Sequence, residues 1–226
     1  TIVGNKIGLN ANDQPVLGCV IGISTANDYY GNLQNVVIGG TAPGEGNEIA
    51  GNDHEGIVVD NAYSGVRISG NSIHDNGTLG IELINSGFLW GVSPNDPLDI
   101  DGGANGLQNF PTLQSAMVAG GATQITGALH SNPLTNFQIE FFASPQCDAS
   151  GFGEGRLFLG FAPVSTDNNG DASIAAALSA VVAPGWYVSA TAIALASGST
   201  SEFSACVQVT GSAFTTYCTA KTNSQG

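Results

Sequence analysis

A stretch that returns 24 positions later constrains this chain more than any other feature: GNEIAGNDHEGIVVDN at 46–61 reappears as GNSIHDNGTLGIELIN at 70–85. The identities are Gly46/Gly70, Asn47/Asn71, Ile49/Ile73, Asn52/Asn76, Gly56/Gly80, Ile57/Ile81 and Asn61/Asn85. A period in the low twenties, with short β segments separated by Asn and Gly, marks a solenoid in which each repeat is one coil. Looser copies lie upstream in TIVGNKIGLN and in NVVIGG at 35–40, so coils begin near Ile2, Val36 and Val66. Apolar residues alternate with polar ones over only a few positions, as in Val36/Ile38 and Val66/Ile68, which is strand periodicity and too short for helices.

The alternating residues are expected to point into the bore and stack, Ile49 over Ile73 and Ile57 over Ile81. Each buried Ile contributes about 1.5–3 kcal/mol. Asn suits the corners because it tolerates left-handed backbone and bonds turn backbone. Stacked Asn52 and Asn76 are positioned to bond each other as a ladder.

The I-x-G-N-x-I-x-x-N pattern from Ile68 to Asn76 resembles that of right-handed parallel β-helix proteins of secreted bacterial type, over roughly residues 1–110. Some members of that class are pectate lyases and polysaccharide hydrolases; others are adhesins, autotransporter passengers and cell-surface proteins without known catalysis. The resemblance therefore implies carbohydrate contact and names no reaction.

From about Thr112 the pattern changes. TQITGALH, NFQIEFFAS, RLFLGFAPV, ASIAAAL, GWYVSATAIA and FSACVQV are longer alternating runs bounded by turn residues, as in an antiparallel β-sandwich. Asn169-Gly170 within DNNGDAS signals a hairpin. Asp167, Asn169 and Asp171 superficially match a calcium loop, but the downstream bidentate Glu is absent, which favours the turn. NDPLDIDGGANGLQNFPTLQSA at 95–116 resembles the junction between β-helix repeats and an immunoglobulin-like domain in large secreted bacterial proteins. The segments FFASPQCDASGFGEGRLFLG and TSEFSACVQV resemble the Cys-bearing strands of that domain. The chain is thus expected to be all-β: about three to four β-helix coils over 1–94, a junction over 95–111, an immunoglobulin-like sandwich over 112–210 and a further segment over 211–226.

Cys147 follows one sandwich strand and Cys206 lies in the last, so a Cys147–Cys206 disulfide and an oxidising compartment are expected. Cys218 resembles the start of another secreted module. Cys19, flanked by Val16, Leu17, Val20 and Ile21, is expected as a buried thiol in the bore. Eighteen acids against four bases give a net charge of −14, which argues against nucleic acid as a partner. Only 10% of residues are charged, so Asn, Ser, Thr and Gly must cover the surface, an extracellular habit. No apolar run is long enough to span a membrane, and Thr1 opens mid-repeat without a signal peptide. The expectation is a trimmed fragment, or a first coil covered by another chain.

A lyase of this fold needs acidic calcium ligands and a base; Arg67 is the weak candidate, and an outward Arg linked to Asp60 or Glu82 is the plainer reading. Hydrolysis needs two carboxylates about 5–9.5 Å apart. Asp53, Glu55, Asp60, Asp75 and Glu82 form no hydrolase motif, and Glu82 replaces Val58 on what reads as an outward strand face. His54, His74 and His130 are expected in turns or at the surface. The junction acids Asp96, Asp99 and Asp101, on a Gly-rich loop, suit a structural calcium; an ion-free Asp-Gly turn is the alternative. Tyr29, Tyr30 and Trp90 are candidates to stack on sugars, against a reading in which Phe88 and Trp90 close the last coil. The function these features imply is a non-catalytic extracellular or cell-surface protein, structural or adhesive, meeting polysaccharide, extracellular matrix or copies of itself. The alternative is a carbohydrate-active enzyme, a polysaccharide lyase or glycoside hydrolase, or a fragment of one.

Overall fold

The computed structural model describes residues 1–15, 19–25, 35–60, 65–84, 87 and 90–211. Tyr29, Tyr30, Phe88, Cys218 and the repeat pair Asn61/Asn85 lie outside the described residues. Among the described residues of the first part are eight short strands: β1 (Lys6–Ile7), β2 (Ile23–Thr25), β3 (Val37–Gly39), β4 (Glu48–Ala50), β5 (Ile57–Val59), β6 (Arg67–Ser69), β7 (Ser72–His74) and β8 (Ile81–Leu83). They sort into three parallel sheets, ordered β1-β4-β7, β2-β5-β8 and β3-β6, with Ile2 bridging Ile38 beside the last. Every third strand returns to the same sheet, so each circuit of the chain adds one strand to each.

The register is the sequence repeat made physical. Ile49 lies opposite Ile73 and Ile57 opposite Ile81, all almost fully buried. At one corner Asn47 donates through its main-chain and side-chain N–H groups to Asn71 Oδ1 at 3.0 and 2.8 Å. Asn5 donates in the same way to Asn47 Oδ1. At another corner Asn52 donates to Asn76 Oδ1 at 3.2 and 2.6 Å. A buried amide is costly unless bonded, and the ladder meets that need with the next circuit's equivalent residue. Asn52 Oδ1 is the exception, buried without a partner. The pairing of Ile7 with Ile49 sets Asn10 one circuit earlier. Asn10 instead accepts from the Asn12 and Gln14 N–H groups to close a local turn, so the ladder ends there.

Short 3-10 turns at Pro97–Asp99 and Ala104–Leu107 lead to the second part. Its strands are β9 (Thr112–Ala119), β10 (Ala122–His130), β11 (Asn136–Ser144), β12 (Leu157–Ser165), β13 (Asp171–Leu178), β14 (Tyr187–Ala194) and β15 (Val207–Gly211). They form one mixed sheet ordered β12-β11-β14-β15-β9-β10-β13. Its outermost strands β12 and β13 lie against each other, so the sheet nearly closes on itself. This differs from the expected pair of antiparallel sheets. β9, absent from the six runs picked out above, pairs antiparallel with β10 and parallel with β15, and so joins what would be two layers. The expected Asn169-Gly170 turn is present, with Gly170 at φ 80° and Asp167 Oδ1 accepting the Asn169 and Asp171 N–H groups, but it does not close a hairpin. β12 pairs with β11 and β13 with β10, so the turn carries the chain from one edge of the sheet to the other.

β11 is buried on both faces. Phe137, Ile139 and Phe141 fill the interior of the nearly closed sheet, with Ile125, Leu129 and Val188. Phe142, on the opposite face by strand alternation, belongs instead to the apolar cluster of Ile49, Ile57, Ile73 and Ile81. Phe203 joins it, its ring meeting Phe142 edge-on at 5.3 Å. These two rings close the interior of the last circuit.

Candidate functional site

The last circuit leaves three strand edges whose main-chain groups need partners. On the β6 side, Val66 N–H donates to Asn105 Oδ1 at 2.9 Å, Ile68 N–H to Thr200 Oγ1 at 2.9 Å, and Gly70 N–H to Glu140 Oε2 at 2.8 Å. On the β7 side, Ile73 and Gly155 exchange N–H···O bonds at 2.9 and 2.8 Å. Glu154 Oε1 accepts from Asn76 N–H at 3.2 Å and from its side-chain amide at 2.7 Å. Glu154 thus stands where the Asn of a further circuit would stand. On the β8 side, Leu83 N–H donates to Glu202 Oε1 at 3.0 Å, and Ser93 N–H to Glu202 Oε2 at 2.9 Å.

One carboxylate from the second part therefore serves each side of the stack, and all three are buried. Burial raises the Glu140 pKa above its ordinary value, against donation from Ser69, Gly70 and Gln138 and the nearby Arg67 charge. Burial pushes Glu154 up to about 7, against the Asn76 donors and reinforced by Asp148 and Asp75. It pushes Glu202 up to about 8, opposed by the Leu83 and Ser93 N–H groups and reinforced by Glu82. Perturbed acids often flag a catalytic centre, but ion-pair and hydrogen-bond frameworks perturb them too. Here each of the three accepts main-chain N–H groups of the last circuit.

Beside Glu154 lies a cleft of about 520 Å³ whose lining includes His74, Asp75, Asp148 and Arg156. Asp75 Oδ2 meets His74 Nδ1 at 2.8 Å and Arg156 Nη1 at 3.1 Å. His74 is buried in β7, contrary to the expected surface position, with its ring between Glu48 of the neighbouring strand β4 and the adjacent Asp75. His54 and His130 are exposed as expected, and His130 pairs with Asp171 at 2.7 Å.

The junction acids come together: one carboxylate oxygen from each of Asp96, Asp99 and Asp101 lies within 4.8 Å of the others. Asp99 accepts from Asn109 N–H at 2.9 Å, Ser131 O–H at 2.7 Å and the Asn132 amide at 2.9 Å. Asp96 Oδ2 accepts from Ile100 N–H at 3.3 Å, whereas its Oδ1 is buried without a partner. Burial and the other two acids push Asp101 up to about 6, and burial raises Asp99 as well. The donor set is all oxygen and carries an orphaned acceptor, which fits a hard cation.

Other expectations need correction. Glu82 alternates out of the bore between Ile81 and Leu83, but it is 1% exposed because the chain folds over it and Gly91 N–H donates to its carboxylate at 3.0 Å. Arg67 is half-buried on β6 and its charge acts on Glu140, so the link to Glu82 does not form. Cys19 is an exposed free thiol, because the chain has left the interior where Cys19 C=O accepts Asp53 N–H at 3.0 Å. Trp90 is 60% exposed and does not close the last coil; Phe142 and Phe203 do. The Cys147–Cys206 disulfide is formed. Sequence reasoning missed Glu140, Glu154 and Glu202. The available signal was a carboxylate in an apolar run, as Glu140 between Ile139 and Phe141. No protein-family model and no curated protein matches this chain.

Proposed function

We propose that this is a non-catalytic, structural or adhesive module of the extracellular space or cell surface that binds a polysaccharide matrix or neighbouring copies, built as a right-handed parallel β-helix whose last coil is closed by an immunoglobulin-like domain. The observation that carries this reading is the use of the buried glutamates. Glu140, Glu154 and Glu202 each accept main-chain N–H groups of the last circuit, which is the work of a cap. A disulfide and a surface poor in charge agree with an oxidising, extracellular setting.

The second reading, a carbohydrate-active enzyme, is favoured by the cleft that joins Glu154, Asp148 and Arg156. Incubation with insoluble polysaccharides separates the two. Protein depleted from the supernatant without release of reducing or unsaturated ends supports the adhesive role, and release of such ends supports the enzyme. Protein left in solution, with only single particles in negative-stain images, overturns both matrix contact and self-association.

Asp96, Asp99 and Asp101 would hold a structural calcium, whose charge would offset three carboxylates and draw the junction onto the Ser131–Asn132 turn. Calcium is expected to raise the melting midpoint and Asp96→Asn to abolish that rise. Superimposable curves with calcium and with chelator would remove the ion.

A further inference from the structure

A cleft of about 510 Å³, separate from the capping carboxylates, is lined by Val20, Ile21, His54, Glu55, Thr78 and Trp90. Its size is that of a small-molecule site. Its surface combines an exposed apolar face with a buried carboxylate. The Trp90 indole and Val20 are 60% and 58% exposed, an apolar face left to water. Next to them the Glu55 carboxylate is almost fully buried and is held by Thr78 O–H on Oε1 at 2.8 Å.

The platform is tied down. Both Glu82 oxygens accept the N–H of Gly91, the residue after Trp90, at 3.2 and 3.0 Å, which fastens this segment to β8. The indole is thus presented from an anchored chain, and ordering it on binding costs little.

We propose that this cleft binds a neutral pyranose ring of a glycan chain, with the C–H face of the sugar on the Trp90 indole and ring hydroxyls donating to Glu55. A wholly apolar ligand would seal the Glu55 carboxylate away from water with no added donor, a cost that hydroxyl donors remove. Among the described residues, no Lys or Arg lines the cleft. With Glu55 and Glu82 beside it and a chain charge of −14, it repels uronate and sulfated sugars. The site rests on the matrix-binding reading above and gives that reading its ligand class.

Titration of the full chain with soluble neutral hexasaccharides (β-1,4-glucan, β-1,4-mannan and α-1,4-glucan series) and with an oligogalacturonate tests it, followed by calorimetry and tryptophan emission. At least one neutral hexasaccharide is expected to bind and to shift the emission. Trp90→Ala should weaken that binding at least tenfold, Trp90→Phe less and Glu55→Gln severalfold, with Trp90→Ala leaving the melting midpoint in place because the ring is exposed. Binding unchanged in Trp90→Ala overturns this site and leaves the matrix reading standing. Oligogalacturonate binding as tight as the neutral chains overturns the ligand class. If no hexasaccharide binds while the wild-type chain still co-sediments with insoluble polysaccharide, the site falls alone; if both fail, the matrix reading falls with it.

Discussion

Asn76 concentrates more of the capping logic than any other single residue. Its Oδ1 receives the two Asn52 donors, its side-chain amide serves Ile49 C=O and Glu154, and its own N–H also meets Glu154. Asn76→Ala leaves two Asn52 donors, the Ile49 carbonyl and part of the Glu154 carboxylate unserved in a buried corner. Each such orphan costs about 1–3 kcal/mol before relaxation, and admitted water would recover part of that, so a loss of about 3 kcal/mol is expected. Asn52→Ala should cost less, because Asn52 Oδ1 already lacks a partner and its removal relieves one orphan. Urea midpoints for the two variants check the ranking; equal losses would show that the ladder is not directional in energy.

At the scale of elements, the decisive meeting is β7 against Gly155. The two-way main-chain bond with Ile73 brings Gly155 so close that a Cβ there would lie 2.6 Å from Phe142 Cγ and 2.7 Å from its Cβ. Those atoms sit near the β11 backbone and cannot swing aside. Gly155→Ala is therefore expected to cost about 1–3 kcal/mol by overpacking and to speed amide exchange at Ile73 more than at Ile139 inside the sheet. Uniform exchange changes would contradict a local seam effect. The same comparison explains what sequence could and could not reveal. Ile49/Ile73 and Asn52/Asn76 are legible because stacking repeats the same contact at a fixed interval of 24. Glu140, Glu154 and Glu202 meet partners 70, 78 and 119 residues away, with no period to announce them. β9 was overlooked because LQSAMVA sits against the junction and alternates weakly, yet it joins the two edges of the mixed sheet. Among the candidate site residues, the closeness of Asp96, Asp99 and Asp101 followed from short spacing. The approach of Trp90 to Glu55 required the fold.

The whole molecule joins a parallel stack to a nearly closed sheet through buried carboxylates, and this junction makes stability depend on pH. Glu82 and Glu154 are raised from 4.5 to about 7 and Glu202 to about 8, all chiefly by burial. A carboxyl whose pKa is higher in the folded state binds its proton more tightly there, so protonation favours folding. The contribution is complete below the unfolded value of 4.5 and is lost as pH rises through about 7 for Glu82 and Glu154 and about 8 for Glu202. Asp167, lowered by the Asp171 and Asn169 N–H groups, acts in the opposite sense, but its window lies below its ordinary value of 3.8 and does not overlap. The facing charges reinforce the trend: Glu82 beside Glu202, and Asp148 and Asp75 beside Glu154, repel more as they ionise. The melting midpoint is therefore expected to be higher at about pH 5 than at about pH 9, with the fall concentrated between them. Glu202→Gln should flatten the upper part of that fall, since its amide cannot ionise, although it meets the Ser93 N–H less well and lowers the midpoint throughout. A midpoint that stays level or climbs from pH 5 to pH 9 would mean that the Leu83, Ser93 and Asn76 donors outweigh burial, and that the seam is held by ionised glutamates.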